Sequence, residues 1–447
     1  MMVDQNGPIR FITVWMVSSA LCMSAILLTG CTIQDCDEVE GEYEQAVSQE
    51  SALVELDEDG PPHLAMALRL DFLNDLSSGL LDRAIGDAIG TSGTIRALGE
   101  TVAFGISSTG AGLNLEASDA CNGCLRIFGD FDGDVDVDLP WVGERSSPLS
   151  GTMDWVVPLD VGRDGDDVAI YLDTEQAVNM GLPNVVAQLP GLSEDWEEYV
   201  ARSLGHEISD LIADRFEPMR LTGYSLPDLG LAGIEMTPSL FSLDGESNAL
   251  ILGVRTNTDA GVGSGSDEDF INALSLRDGQ NIALGVQPGF VTEAVRLAIR
   301  DEQVPRRYSL TGRARDDGSA HTVVDGFDAA AHSDGSDAVG LGLDFRVFNL
   351  QSSLGCFDTK GHAQSRLQIN DGQVAIDVEE VEFSGTGGLV DAANWASAEF
   401  VEHTQGVLVR SIDDSVISNS EMGFSMRGDR LSTEAGMVVF RAIGTPQ

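Results

Sequence analysis

Few residues in this chain have the types and spacing that chemistry needs. Cys121 and Cys124 stand in "CNGC". That spacing serves a local disulfide, a redox pair or half of a metal site. Zinc needs a second ligand pair, and the sequence holds neither another CxxC nor two histidines at zinc spacing. Nothing thioredoxin-like surrounds the pair, so a structural disulfide is the favoured reading. The stretch "GDFDGDVDVDLPW" places aspartates at 130, 132, 134, 136 and 138. Asp130, Asp132 and Asp134 are the carboxylates a calcium ion would take. An EF-hand loop opening at Asp130 requires Gly at its sixth position and Glu at its twelfth; Val135 and Trp141 stand there. Strand alternation is the simpler account, with Val135, Val137 and Leu139 inward and the aspartates in water. His206 and Glu207 lie in a helical pattern without a nucleophile. His63, His321, His332, His362 and His403 form no spaced cluster. The Gly-rich "GVGSGSDED" lacks the lysine and helix start of a phosphate loop. No G-x-S-x-G, H-E-x-x-H, Walker or dinucleotide pattern occurs. The chain therefore reads as a non-enzyme with no cofactor and no metal.

One cysteine has a different context. Arg10 precedes an apolar run from Phe11 to Leu28, which Leu28-Thr29-Gly30-Cys31 closes. A charged start, a short apolar core and small residues at the end read as a signal peptide over residues 1–30. The last four residues resemble the lipobox of bacterial lipoproteins. The resemblance implies that Cys31 receives a diacylglycerol, loses the signal and carries acyl chains such as palmitate. Thr32 rather than Asp follows, which in that family favours the outer membrane over retention on the periplasmic face of the inner one. No second apolar run is long enough to span a bilayer. Residues 31–62 are acidic, polar and end in Pro-Pro, the composition of a solvated, flexible tether. Export permits disulfides, and the pairing of Cys36 and Cys356 is left open.

The charge narrows the partners. Asp and Glu number 73 against 25 Lys and Arg, a net charge of −48, and the acidic residues are spread along the whole chain. Lys360 is the only lysine. Nucleic acid and anionic headgroups are poor electrostatic partners for such a surface. Its self-repulsion is screened only by salt, with a Debye length of about 3 Å at 1 M, so the surface reads as halophilic or marine. With 43% hydrophobic residues, the 447-residue chain still has ample material for folded cores.

Two stretches must position whatever function there is. "HLAMALRLDFLNDLSSGLL" begins at His63 and "NIALGVQPGFVTEAVRLAI" at Asn281. Each reads as a strand, a short turn and an amphipathic helix containing Phe72 or Phe290, at a constant offset (290 − 72 = 218). After the first comes a run of short alternating segments, among them "TVAFGIS", "GLNLEAS", "CLRIFGDF" and "DVDVDLPW", the signature of a meander. A helix follows, with Trp196, Tyr199, Val200 and Leu204 on one face, and then a strand pair around Asp244-Gly245. Residues 258–278, rich in Gly, Ser and Asp, read as a linker. From 279 the plan repeats, with a helix over about 389–418 that carries Trp395 and Phe400. The domains expected are thus 63–257 and 279–447.

This order of elements resembles the tubular lipid-binding superfamily, the bactericidal/permeability-increasing and lipid-transfer-like proteins. The resemblance implies an α+β fold of two tandem modules, each a long amphipathic helix pair wrapped by a curved antiparallel sheet. It also implies apolar grooves for a phospholipid or fatty acyl chain. Groove candidates are Phe72, Leu76, Leu80, Trp196, Tyr199, Val200, Phe290, Val291, Val295, Trp395 and Phe400. The sequence departs from the family's lipopolysaccharide binders, whose surfaces are basic. The expectation is a lipid-anchored envelope protein with a bound lipid. The alternatives are a surface structural or adhesive lipoprotein without ligand, and a hydrolase with an unrecognised site.

Overall fold

The structure is a computed structural model. It describes residues 34–50, 53–57, 60–75, 92–97, 100–121, 123–139, 143–165, 167–173, 179–180, 184–187, 194–216, 219–224, 233–245, 248–261, 265–332, 338–351, 355–384, 399–413 and 424–446. Cys31, Leu76, Leu80 and Trp395 lie outside the described residues, as does the signal segment.

The chain enters through α1 (Cys36–Ser48) and β1 (Leu64–Arg69), which runs directly into a helical segment at residues 70–75. A meander follows, of β2 (Ser92–Ala97), β3 (Glu100–Ser118), β4 (Cys124–Leu139), β5 (Gly143–Asp164) and β6 (Asp167–Leu172). Short β7 (Asn179–Met180) and β8 (Asn184–Ala187) pair with β5. Then come α2 (Glu194–Phe216), β9 (Met219–Tyr224), β10 (Met236–Asp244) and β11 (Ala249–Thr256). The second half carries α3 (Asp267–Ala273), β12 (Ile282–Val286), α4 (Pro288–Arg300) and β13 (Arg307–Tyr308). After β14 (Ala320–Ala331), β15 (Val339–Asn349), β16 (Phe357–Asn370) and β17 (Gln373–Ser384), the chain ends with α5 (Glu399–Asp413), β18 (Phe424–Glu434) and β19 (Met437–Pro446).

Among the described residues, strands make up 56% and helices 21%, which overturns the expected pairs of long helices wrapped by sheet. Both halves give strands to one central six-stranded antiparallel sheet, in the order β10-β11-β1-β12-β19-β18. Two meander sheets flank it, β2-β3-β4-β5-β6-β9 and β13-β14-β15-β16-β17. The reading erred because Gly- and Ser-rich stretches look like turns. "TVAFGIS" and "GLNLEAS" belong to one 19-residue strand, and the residues between them form a bulge at Ser108/Gly110 rather than a corner. A bulge absorbs the extra residue while the ladder continues. Likewise β4 runs unbroken for 16 residues, with Phe131, Val135 and Val137 buried and Asp130, Asp132, Asp134, Asp136 and Asp138 exposed.

The central sheet is covered on both faces, as its near-continuous apolar strands require. Leu64, Met66, Leu68, Leu252, Ile282, Leu284 and Phe440 join the large core, while the small Ala65, Ala67 and Ala283 face the other way. That second face is sealed by α3, with Phe270 and Leu274 fully buried. The stretch expected as a linker is therefore structural. Its helix opens with a capping box, in which Ser266 and Asp269 satisfy each other's backbone N–H groups. It closes on a buried cation. Arg441, 1% exposed, donates to Ala273 O (2.6 Å), Ser275 O (3.1 Å), Ser432 Oγ (2.7 Å) and Glu434 Oε2 (3.0 Å). Burial pushes the Glu434 carboxyl up, but the Arg441 and Ser432 hydrogen bonds and the Arg441 charge outweigh it and hold the pKa below the ordinary value.

The two halves are related by a local pseudo-two-fold axis. Met66 lies opposite Leu284 in the β1–β12 pair, its own counterpart 218 residues on. Met66 also pairs with Leu252 and Leu284 with Phe440 (440 − 252 = 188). The β10 bulge at Pro238/Leu240 recurs in β18 at Gly428/Arg430, and the β3 bulge recurs in β14 at Val324/Gly326. Polar contacts repeat too. His63 Nδ1 accepts from Thr256 N (3.2 Å), and Asn281 Oδ1 accepts from Gly444 N (2.6 Å), at the same two offsets.

The segment expected as a free tether is a docked strap. Its α1 buries Val39 and Ala46 against Val323, Phe348 and Cys356, and Cys36 is disulfide-bonded to Cys356. Further on, Glu50 pairs with Arg306, and Val54 N donates to Asn257 O (2.9 Å). The strap therefore crosses from the second half to the first.

Candidate functional site

The groove candidates divide by half. In the second half Phe290, Val291, Val295 and Phe400 are 0–1% exposed. Phe400 packs at a tilt against Phe345 (centroids 4.9 Å, interplanar angle 53°) and meets Tyr308 edge-on (5.4 Å). Burial, and secondarily the charge of Glu399, raise the Tyr308 pKa above the usual phenol range. Across the strand pair the Phe345 ring lies over Gly361, where any side chain would collide with it. The helix α4 is also fixed to the β14 bulge. Arg296 donates to Val324 O (2.9 Å) and Asp325 O (2.7 Å), and Thr292 Oγ1 accepts from Phe327 N (2.9 Å). These four residues line a packed core rather than an open groove.

In the first half, Phe72 packs against Gly444 and Ile282 of the other half, so it belongs to the central sheet's core. On α2, Val200 and Leu204 are buried, but Tyr199 is 38% exposed and faces outward. The Trp196 side chain is not described.

An apolar cavity opens beside the helical segment 70–75. Seven leucines line it: Leu70 and Leu73 from that segment, Leu115 from β3, Leu125 from β4, Leu159 from β5, Leu221 from β9 and Leu250 from β11. Its volume is about 10 Å³, room for about one water. Only Leu159 is more than marginally exposed. None of the seven was singled out in the sequence, because they come from six elements spread over 180 residues and no local pattern joins them.

One polar side chain latches this cavity. Among the described residues, no strand pairs with β3 on its β2 side beyond Gly105. There Asn74 stands in for one: its Nδ2 donates to Leu115 O (3.0 Å) and its Oδ1 accepts from Leu115 N (2.6 Å). The amide thus ties segment 70–75 to a sheet edge with two bonds, each worth about 1 kcal/mol net. At the β3–β4 connection, Cys121 is disulfide-bonded to Cys124, and the ring of Phe241 lies against Gly123. On β4 the aspartates project along one face of an extended strand. Alternate residues there stand about 7 Å apart, too far for Asp130, Asp132 and Asp134 to converge on one ion. Among the described residues, no helix is long and apolar enough to cross a membrane.

No family model and no curated protein matches the chain. Among solved structures, a lipopolysaccharide binding protein is similar at 11% identity and a TM-score of 0.39, over 87% of this chain and 99% of that one. P47 of Clostridium botulinum E1 is similar at 11% identity and a TM-score of 0.33, over 86% and 99%. Likenesses this distant carry no inference about function.

Proposed function

We propose that this is a lipid-anchored cell-envelope protein, attached through Cys31, that takes an apolar ligand without catalysis. The ligand is a phospholipid or fatty acyl chain, and its site is the leucine-lined cavity of the first half. The observation that carries the reading is the lining: seven leucines from six elements converge on one almost wholly apolar space. Apolar burial at about 25 cal/mol per Å² would drive binding. On this reading the cavity of about 10 Å³ is a closed form. To admit a chain, segment 70–75 must swing from β3, breaking the two Asn74 bonds. One measurement separates this from a solid core: titration of the purified chain with the fluorescent fatty acid cis-parinaric acid. Wild type should bind saturably at one site, Leu73→Trp should lose binding, and Asn74→Ala should bind faster. Absence of saturable binding in wild type, or equal binding by Leu73→Trp, contradicts the reading.

A second reading, a structural or adhesive lipoprotein without ligand, is favoured by the small cavity volume and the packed second half. It predicts that parinaric acid binds none of the three proteins.

A further inference from the structure

We infer that the second half is held against the bilayer, with the start of β16 around Asp358 and Lys360 as the membrane-facing surface. This rests on the lipid anchor at Cys31 proposed above. The strap is pinned almost as soon as it leaves that cysteine. Gln34 Oε1 accepts from Asp358 N (3.2 Å), and Cys36 is joined to Cys356 with a Cα–Cα distance of 5.0 Å. Behind this point α1 cannot swing away. Val39 and Ala46 are buried, Tyr43 packs edge-on against Phe348 (5.5 Å) and His321 (5.1 Å), and Glu50 is held by Arg306.

Chain geometry then sets the distance. Three residues of extended chain span at most about 11 Å, so an acylated Cys31 stays within that reach of Gln34. Lys360 is exposed and lies two residues from Asp358 along β16, about 7 Å further. With about 6 Å from the Gln34 backbone to Asp358 across their hydrogen bond, the acyl chains enter the bilayer within about 25 Å of Lys360. A free tether over residues 31–62 would allow an r.m.s. reach of about 30 Å in every direction. The surface at the exit carries Asp35, Asp37, Glu38 and Asp358, so it fits zwitterionic headgroups and is repelled by anionic ones.

The chain's single lysine supplies the test. The acylated full chain is labelled at Lys360 with an amine-reactive donor, confirmed by mass spectrometry. It is then reconstituted in phosphatidylcholine vesicles that carry an energy acceptor on their headgroups. Strong transfer is expected from Lys360. Weaker transfer is expected from a donor placed in the first half by Asp119→Lys in a Lys360→Arg background. A flexible Gly/Ser insert of about twelve residues between Ile33 and Gln34, adding about 20 Å of reach, should lower transfer from Lys360. Equal transfer from the two positions, or no effect of the insert, overturns the inference. Flotation isolates the anchor reading: if wild type floats with vesicles and Cys31→Ser does not, failed transfer sinks the orientation alone. If both behave alike, the anchor and the orientation fall together.

Discussion

His63 should make the fold acid-labile, and the size of the effect follows from its contacts. The ring is 1% exposed at the junction of the halves. Its Nδ1 accepts from Thr256 N (3.2 Å) and lies 2.9 Å from Thr256 Oγ1. A backbone N–H can donate only to a bare nitrogen, so the neutral ring carries its proton on Nε2, which is buried and has no hydrogen-bond partner among the described residues. Protonating Nδ1 would break the Thr256 bond and bury a charge. Burial first, and the Arg255 charge second, push the His63 pKa down to about 4, against about 6.5 unfolded. Above pH 6.5 both states hold a neutral ring and stability is at its plateau. Between pH 6.5 and 4 the unfolded chain binds a proton that the fold refuses, so stability falls with pH by up to about 1.4 kcal/mol per unit. The loss totals about 3 kcal/mol, and it stops below pH 4, where both states are charged. The surface carboxylates act in the opposite sense, since their protonation relieves repulsion. The assay is therefore a comparison: urea unfolding of wild type and His63→Asn at 1 M NaCl from pH 7 to 4. Asparagine is what the other half uses in this position, at Asn281. The two stability curves should converge or cross by about 3 kcal/mol on acidification. Parallel curves would refute the argument.

Three further outcomes follow from the packing. Cys36→Ser/Cys356→Ser removes a link across 320 residues, and chain entropy sets a ceiling of about 5–6 kcal/mol on the loss; calorimetry should show a lower Tm, and an unchanged Tm would mean the strap adds nothing. Arg441→Ala strands two carbonyls and the Glu434 carboxylate, so urea unfolding should register a loss of about 3–5 kcal/mol, with Arg441→Lys recovering less than half; a loss below 1 kcal/mol would contradict this. The net charge of −48 should make Tm rise by several degrees from low to molar NaCl, and a flat response would show no repulsive load.

What was legible in the sequence was what local periodicity encodes. The Phe72/Phe290 offset of 218 is also the offset that sets Met66 opposite Leu284, because both strand–helix openings carry the same alternation. The Val135/Val137 alternation likewise places the β4 aspartates in water. Long-range closure was not legible. The acidic composition of residues 31–62 reads as a free tether, yet Cys36, Val39, Tyr43 and Ala46 dock one helix on the second half. Residues 258–278 read as a linker because Gly, Ser and Asp dominate their opening "TDAGVGSGSDED", yet Phe270, Ala273, Leu274 and Leu276 after it pack on one face of the central sheet. The helix-pair architecture failed for a related reason: bulges inside β3 and β14 look like turns, which hides the strand length. The leucine cavity is invisible in sequence, since Leu70 and Leu250 become neighbours only through the β1–β11 pairing.

Native mass spectrometry of the chain extracted gently from its own membranes tests the central claim most directly. If the first half holds an apolar ligand, wild type should carry one lipid beyond the acyl groups on Cys31. Leu73→Trp should lose it while its Tm falls by no more than an overpacked site costs, about 1–3 kcal/mol in stability. A wild type that flies without lipid under conditions that keep it folded, or a Leu73→Trp variant that keeps the same lipid, would contradict the account.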